Sequence, residues 1–407
     1  MRAETTSVVF IGAGASKSLG LPLTNEIFGE VLNGISTGTL FEGGIPEALE
    51  NRQALKGLFD ALLPGAAGAA PFITDLLSML DHAMLQANAL ALEPQQLGPQ
   101  SIAYQSSKDL VKLRTLLERG IYEVLKRKYP NHRFPSTTSQ SADDGDEVVD
   151  SEAAEVLYSG AAAKPLDEGV LQELVTWMQR EMNASSKLSI VTTNYDLIPE
   201  NVQQQLTLNG GPISVYDVDF GFPWRDPKTG ALHHRPANPR LAIYKLHGSL
   251  NWLRCALCEH TYINPQGDIA YLGFDPRPST HNTCHCTYWP LRHVMVAPSM
   301  VRDIRDPNIL QIWMSALEAM RLAGKWHMIG YSMPPEDLAI RSLLIRAFHA
   351  RGYGDNMAQR EAPEVTVVQL SESAVTPFRL IFGQVKPELG GLGAFLKRQN
   401  AGATTTP

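Results

Sequence analysis

The feature that most narrows the fold is a short apolar run that ends abruptly in small residues, "VVFIGAGAS" at 8–16. Val8 to Ile11 read as a strand buried on both faces, after which Gly12-Ala13-Gly14 strips the chain of side chains. Such a turn lets backbone N–H groups at a helix start meet a diphosphate at close range. A turn whose small residues serve packing alone produces the same letters. The third glycine of the dinucleotide fingerprint is absent, position 17 being lysine.

The pattern recurs along the chain. "LSIVTTNYD" (188–196), "LAIYKLHGSLNW" (241–252), "HVMVAPS" (293–299), "WHMIGYSMPPED" (326–337) and "EVTVVQL" (364–370) each read as a strand, most of them running into glycine or polar residues. Helical patterns intervene, including an amphipathic stretch at 166–182. This alternation predicts an α/β protein: a Rossmann-like, doubly wound parallel sheet whose ligand site lies at the carboxyl ends of the strands.

Three further helical patterns, "EALENRQALKGLFDALL", "PFITDLLSMLDHAML" and "SSKDLVKLRTLLERGIYEVLKRKY", fall within 45–130 and read as an insertion. Residues 131–152 are polar and acidic, which predicts a mobile loop. The expected division is a discontinuous Rossmann-like domain (1–44, 166–250 and 287–400) and a helical insertion (45–165). A small cysteine-rich module (251–286) and a frayed tail (400–407) complete it.

A formal charge of −7 over 407 residues offers no basic field to nucleic acid or an anionic membrane. No run approaches the roughly 20 apolar residues of a membrane helix. Val8–Ile11 is too short for the apolar segment of a signal peptide, so the expected location is cytoplasmic.

Several residues are candidates for chemistry. Asn194 and Asp196, beside Thr193 at the end of a strand, stand two apart and so share a face. Together they suit a carboxamide, the carboxylate accepting its N–H and the amide offering donor and acceptor. An Asn/Asp turn capping the helix "LIPENVQQQL" is the structural alternative. His247, next to Gly248, suits a general base, or equally a hydrogen-bonded structural histidine. Gly330 and Ser332 flank Tyr331 in a second small-residue turn. Cys255-x2-Cys258 and Cys284-x-Cys286 are spaced for a tetrahedral, structural zinc site, with His260, His281 and His285 as substitute ligands. Reduced, unligated thiols are the alternative.

In combination, "GAGAS…GLP", "TTNYD", "KLHGS", two cysteine pairs and "GYS" stand in the order seen in the sirtuin superfamily, which this chain resembles. The stretch 45–130 does not match the protein deacylases. It looks more like the insertion of bacterial sirtuin-like NAD hydrolases of antiphage defence. The resemblance implies that Gly12, Ala13, Gly14 and Ser16 cradle the phosphates of NAD. Asn194 and Asp196, with Thr193, would lie at the nicotinamide and its ribose, and His247 would be the catalytic histidine. Gly330, Ser332 and Ser371 would stand on the adenosine side.

Three departures from the deacylases stand out. Leu23-Thr24-Asn25 follows Gly20-Leu21-Pro22 where they carry Asp-Phe-Arg, and Thr193-Asn194-Tyr195 lacks their glutamine. Their Phe-Gly-Glu strand, which pairs with the acyl-lysine peptide, is replaced by "VMVAPSM". The expectation is therefore hydrolysis of NAD to nicotinamide and ADP-ribose by a regulated effector. A protein deacylase and a non-catalytic NAD or ADP-ribose sensor are the competing readings. A silent-until-triggered NADase further implies a homo-oligomer, or a partner protein such as an ATPase or nucleic-acid sensor.

Overall fold

The computed structural model describes residues 6–41, 48–62, 73–85, 107–128, 166–265, 267–274, 282–296, 306–335, 337–349 and 361–401. The acidic stretch 131–152 and the tail beyond Ala401 lie outside the described residues. The chain forms two compact units. One comprises Met1–Leu21, Leu166–Val296 and Asp303–Pro407; the other comprises Pro22–Pro165 and Ala297–Arg302.

In the first unit the strands are β1 (Thr6–Ile11), β2 (Lys187–Thr192), β3 (Thr207–Leu208), β4 (Gly211–Pro212), β5 (Val218–Asp219), β6 (Trp224–Arg225) and β7 (Leu232–His233). They continue as β8 (Leu241–Lys245), β9 (Gly248–Cys255), β10 (Thr261–Ile263), β11 (Leu291–Met295), β12 (Lys325–Ile329), β13 (Glu364–Gln369) and β14 (Lys386–Leu389). Seven of them form one sheet in the order β14-β13-β12-β1-β2-β8-β5. Every pairing in it is parallel. The chain leaves β1 toward β2 on one side and later returns to β12 on the other, so the strand order reverses between β1 and β12. A doubly wound sheet opens its ligand crevice at such a point.

Adjacent residues of β12 show that both faces are covered, because side chains alternate across a strand. Trp326 packs edge-on against Phe382 at 5.6 Å and near Phe348 at 6.0 Å, on helices Thr376–Phe382 and Leu338–His349. His327, one residue on, meets Trp177 at 5.1 Å on the helix Glu168–Ala184, and Trp177 in turn packs on Phe395 of the helix Gly391–Ala401. Val8, Val9, Phe10 and Ile11 are accordingly all buried, as continuous apolar strands of a parallel sheet must be.

Two predicted strands sit differently. The stretch 241–252 is divided: β8 belongs to the parallel sheet, whereas β9 begins at Gly248 and enters a second sheet of order β11-β9-β10-β6-β7. Gly248 makes the break, with φ +83° and a backbone so close to β11 that a Cβ would lie 2.0 Å from the Val294 carbonyl oxygen. The segment at 293–299 was expected among the parallel strands. His293 to Met295 lie in β11, which pairs antiparallel with β9, and Val296 follows it; residues 297–299 lie outside the described set.

The second unit is helical, with α-helices at Thr24–Ser36, Ala48–Leu62, Ile73–Leu85 and Ser107–Lys128. The last of these packs against the other three. Its buried residues Leu110, Leu113, Leu117, Ile121 and Val124 recur at helical spacing. Arg114 bridges the carboxylates of Asp81 and Glu118, which lets two acidic groups be buried in this bundle. No helix among the described residues is long and apolar enough to cross a membrane.

Candidate functional site

The sequence-predicted residues gather at the carboxyl ends of β1, β2, β8, β12 and β13. Gly12 to Ser16 follow β1, Thr193 to Asp196 follow β2, His247 follows β8, Gly330 to Ser332 follow β12, and Ser371 follows β13.

At the switch point the turns after β1 and β12 mesh directly. The Gly12 N–H donates to the Ile329 carbonyl at 2.9 Å and the Gly14 N–H to the Gly330 carbonyl at 2.8 Å. A Cβ on Gly12 would lie 2.5 Å from Tyr331 Cα, and one on Gly330, where φ is +63°, would lie 2.1 Å from the Ala15 nitrogen. The bare backbone thus has a cause inside the protein, since the two turns can touch only where neither carries a side chain.

Polar side chains connect the β1 and β2 ends. Thr192 Oγ1 donates to the Ile11 carbonyl at 2.9 Å and accepts the Asn194 N–H at 3.0 Å. Ser16 Oγ donates to Asp196 Oδ2 at 2.7 Å and accepts from Asn194 Nδ2 at 2.8 Å. Asp196 is buried, and its Oδ1 accepts the Ile198 N–H at 3.1 Å, starting the helix Ile198–Gln205. Asn194 and Thr193 are only half-buried. Of the two predicted polar residues, the amide is therefore the more accessible and the carboxylate the anchor.

His247 Nδ1 lies 3.1 Å from the Thr193 carbonyl oxygen. A carbonyl only accepts, so Nδ1 carries the proton of the neutral ring and Nε2 the lone pair. The rings of Tyr195 and Trp313 stand near the imidazole, each with its centroid 6.4 Å away. Tyr195 is pinned by its hydroxyl to the Val296 carbonyl at 2.5 Å, and Trp313 by its indole N–H to the Leu246 carbonyl at 2.9 Å.

Sequence reasoning passed over the support beneath this site. Lys245 is fully buried, and its ammonium donates to the Asp196 carbonyl and to Glu200 Oε1 at 3.1 Å. Burial pushes the Glu200 carboxyl up, and Lys245 opposes that. The signal was available, because a lysine inside the apolar run "LAIYKL" requires a buried carboxylate partner. On the other half of the crevice, Tyr331 is held by its hydroxyl to Asp337 at 2.8 Å and by its carbonyl to Gln369 Nε2 at 2.6 Å. Ser332 and Ser371 are exposed, and Ser371 Oγ lies 2.9 Å from Ser373 Oγ.

The cysteines stand on two turns of the same build. The Cys255 carbonyl accepts the Glu259 N–H at 3.0 Å, and the Cys284 carbonyl accepts the Tyr288 N–H at 2.9 Å. Glu259 and Tyr288 both have positive φ, 62° and 54°. In each turn the sulfur accepts the N–H two residues on at 3.4 Å, from Leu257 to Cys255 and from Cys286 to Cys284. Cys255, Cys258 and Cys284 bring their sulfurs within 4.8 Å of one another, and Cys258, His260 and Cys286 form a second such group. Zinc–sulfur bonds of about 2.3 Å give a tetrahedron whose edges are about 3.8 Å. The 3.5 Å separation of Cys258 and Cys284 fits that edge, so the donor set suits zinc. Burial raises the Cys284 thiol, but hydrogen bonds from Thr287, Tyr262 and backbone N–H groups outweigh it and bring the pKa down to about 6. A sulfur so surrounded is prepared to be a thiolate.

No protein-family model and no curated protein sequence matches this chain. The solved structures it is similar to include Sir2 enzymes. A structure concerning the mechanism and regulation of Sir2 enzymes shares 11% identity, covering 98% of this chain and 94% of that chain, with a TM-score of 0.37. A Sir2 homologue in complex with NAD shares 12% identity over 98% of this chain and 90% of that chain, with a TM-score of 0.40. A mutant Sir2 homologue in complex with ADP-ribose shares 13% identity over 99% and 95%, with a TM-score of 0.39.

Proposed function

We propose that the strand-end site binds NAD and hydrolyses its nicotinamide–ribose bond, giving nicotinamide, ADP-ribose and a proton. The observation that carries this reading is the wiring of three strand ends into one constellation. Ser16 joins Asn194 to Asp196, while the Thr193 carbonyl sets the tautomer of His247. The motif set supplies the identity of the ligand, as the sequence resemblance implies.

Nicotinamide leaves as a neutral base from a cationic precursor, so the transition state is oxocarbenium-like. The protein's task is to hold the leaving group, shield the cation and orient one nucleophile. In this account Asn194 positions the attacking water or the ribose. Asp196 acts on Asn194 through Ser16, in addition to its own reach toward the carboxamide. His247 Nε2 accepts the proton of the water or of a ribose hydroxyl. The turn with Gly12, Ala13, Gly14 and Ser16 after β1 borders the phosphates, with Gly330 and Ser332 after β12 and Ser371 after β13 toward the adenosine. Cys255, Cys258, Cys284 and Cys286 would hold a zinc ion that fixes the fold of the second sheet and stays out of the reaction.

Water is favoured over an acyl-lysine as nucleophile because the region equivalent to the peptide-pairing strand reads "VMVAPSM", and the Phe-Gly-Glu at 28–30 lies in the helix Thr24–Ser36. The motif set and the helical stretch further suggest a regulated effector of antiphage defence. The test is incubation with NAD, with and without an acetylated-lysine peptide, followed by separation of the products. Nicotinamide and ADP-ribose in equal amounts, indifferent to peptide, are expected. Peptide-dependent acetyl-ADP-ribose would make the protein a deacylase, and NAD binding without turnover would make it a sensor.

A further inference from the structure

A cavity lies at the amino ends of β1 and β2, away from the candidate site. It has a volume of about 310 Å³ and borders Lys187, Arg235, Tyr244, Met314, Ser315 and Leu322. Thr6 and Lys187, which start β1 and β2 and are register partners, also line it. The length of β2 therefore separates it from the candidate site, about 17 Å at 3.3 Å per residue.

Arg235, Tyr244 and Lys187 of its lining converge on the buried carboxylate of Asp219. Arg235 grips this group with two hydrogen bonds, Nε to Oδ1 at 2.8 Å and Nη2 to Oδ2 at 2.9 Å. The Tyr244 hydroxyl donates to Oδ2 at 2.8 Å and the Gly221 N–H to Oδ1 at 2.9 Å. A carboxylate has about four lone-pair sites, and all are now taken. The Lys187 ammonium stands 3.8 Å from Oδ2, beyond hydrogen-bond distance but within its field. Two cations thus share one negative charge that is already saturated. Burial, opposed by Asp219 and reinforced by Arg235, pulls the Lys187 amine below its ordinary range. Glu318, which also lines the cavity, has its charge answered by Arg321 at 3.5 Å. The helix Pro307–Leu322 lines the cavity with the apolar Met314, Ala319 and Leu322 beside Ser315 and Glu318.

We infer that this cavity is a binding site for a compact organic anion, a phosphate or carboxylate on a short apolar body. The anionic head bridges Lys187 and the outer face of the Arg235 guanidinium, and the body lies against Met314 and Leu322. The ligand supplies the negative charge that Asp219 alone does not.

The test is calorimetric titration of the full chain with n-butyl phosphate, butyrate and inorganic phosphate. Saturable binding of butyl phosphate or butyrate is expected, with inorganic phosphate weaker because it leaves the apolar wall uncovered. Lys187→Met and Met314→Asp are expected to weaken binding about tenfold or more. Both variants leave the Arg235–Asp219 pair intact, and Met314 is 64% exposed, so the chain should fold. Because neither residue touches the β1–β12 crevice, their loss of affinity would assign the anion to this cavity. Affinity unchanged in both variants, or no saturable heat up to roughly 10 mM ligand, would overturn the inference.

Discussion

The hydroxyl of Ser16, one turn beyond β1, donates to the buried carboxylate of Asp196 beyond β2 at a distance of 2.7 Å. That single bond ties the turn after β1 to the polar end of the neighbouring strand, and the same oxygen receives the Asn194 amide.

Ser16→Ala removes a donor and an acceptor at once, leaving Asp196 Oδ2 buried with its partner gone. Stability is expected to fall by about 1–3 kcal/mol, the cost of an unsatisfied buried group. Turnover of NAD is expected to fall further than stability explains, because Asn194 loses its orientation. Denaturant titration beside initial rates at saturating NAD separates the two effects.

The Lys245–Glu200 pair is expected to behave as buried ion pairs do. Lys245→Met strands a buried carboxylate and should cost about 3–5 kcal/mol, whereas the double change Lys245→Met, Glu200→Leu should recover much of the loss. Urea midpoints of the wild type, the single and the double variant check this. A double variant no better than the single one would mean that the lysine acts through the Asp196 carbonyl alone.

For the cysteine turns, elemental analysis should find about one zinc per chain. Cys255→Ser or Cys284→Ser should lose it. A chelator should loosen the second sheet, read as faster amide exchange in β9 and β10, while the parallel sheet stays protected.

Acid should weaken the Asp219 cluster. Burial raises this carboxyl, but the hydrogen bonds from Arg235, Gly221 and Tyr244 outweigh it and hold its pKa below the ordinary value of 3.8. A carboxyl depressed in the folded state adds stability above its unfolded pKa and loses it as pH falls through the folded one. The wild type should therefore lose this contribution below about pH 4. Asp219→Asn should flatten that part of the stability profile, measured by denaturant midpoints between neutral and acid pH.

The parallel sheet was largely legible because β1, β2, β12 and β13 are apolar runs long enough to state their burial. β14, "KPEL", was not read: Pro387 and two charged residues suit an edge strand and leave no hydrophobic signature. The division of 241–252 was hidden because β-propensity does not say which sheet a residue joins. Only the positive φ of Gly248 does, and that depends on the distant Val294. In the candidate site, the residues with unusual chemistry could be picked out in sequence, since polar groups at strand ends are conspicuous. Their hydrogen-bond partners could not, because Ser16 and Asp196 stand 180 positions apart. The second cysteine turn shows the same limit. Its 284/287 positions match 255/258, so Thr287 occupies the place of a cysteine and touches Cys255 Sγ at 3.2 Å, which the letters C-x-C conceal.

The most direct test of the account is the initial rate of nicotinamide release from NAD by wild type and by His247→Ala, each shown to be folded by its melting profile. Wild-type release with loss of about 10²–10⁴-fold in the variant is the predicted result, the range expected for removal of a general base. Equal release by both proteins, or none from the wild type, would contradict it.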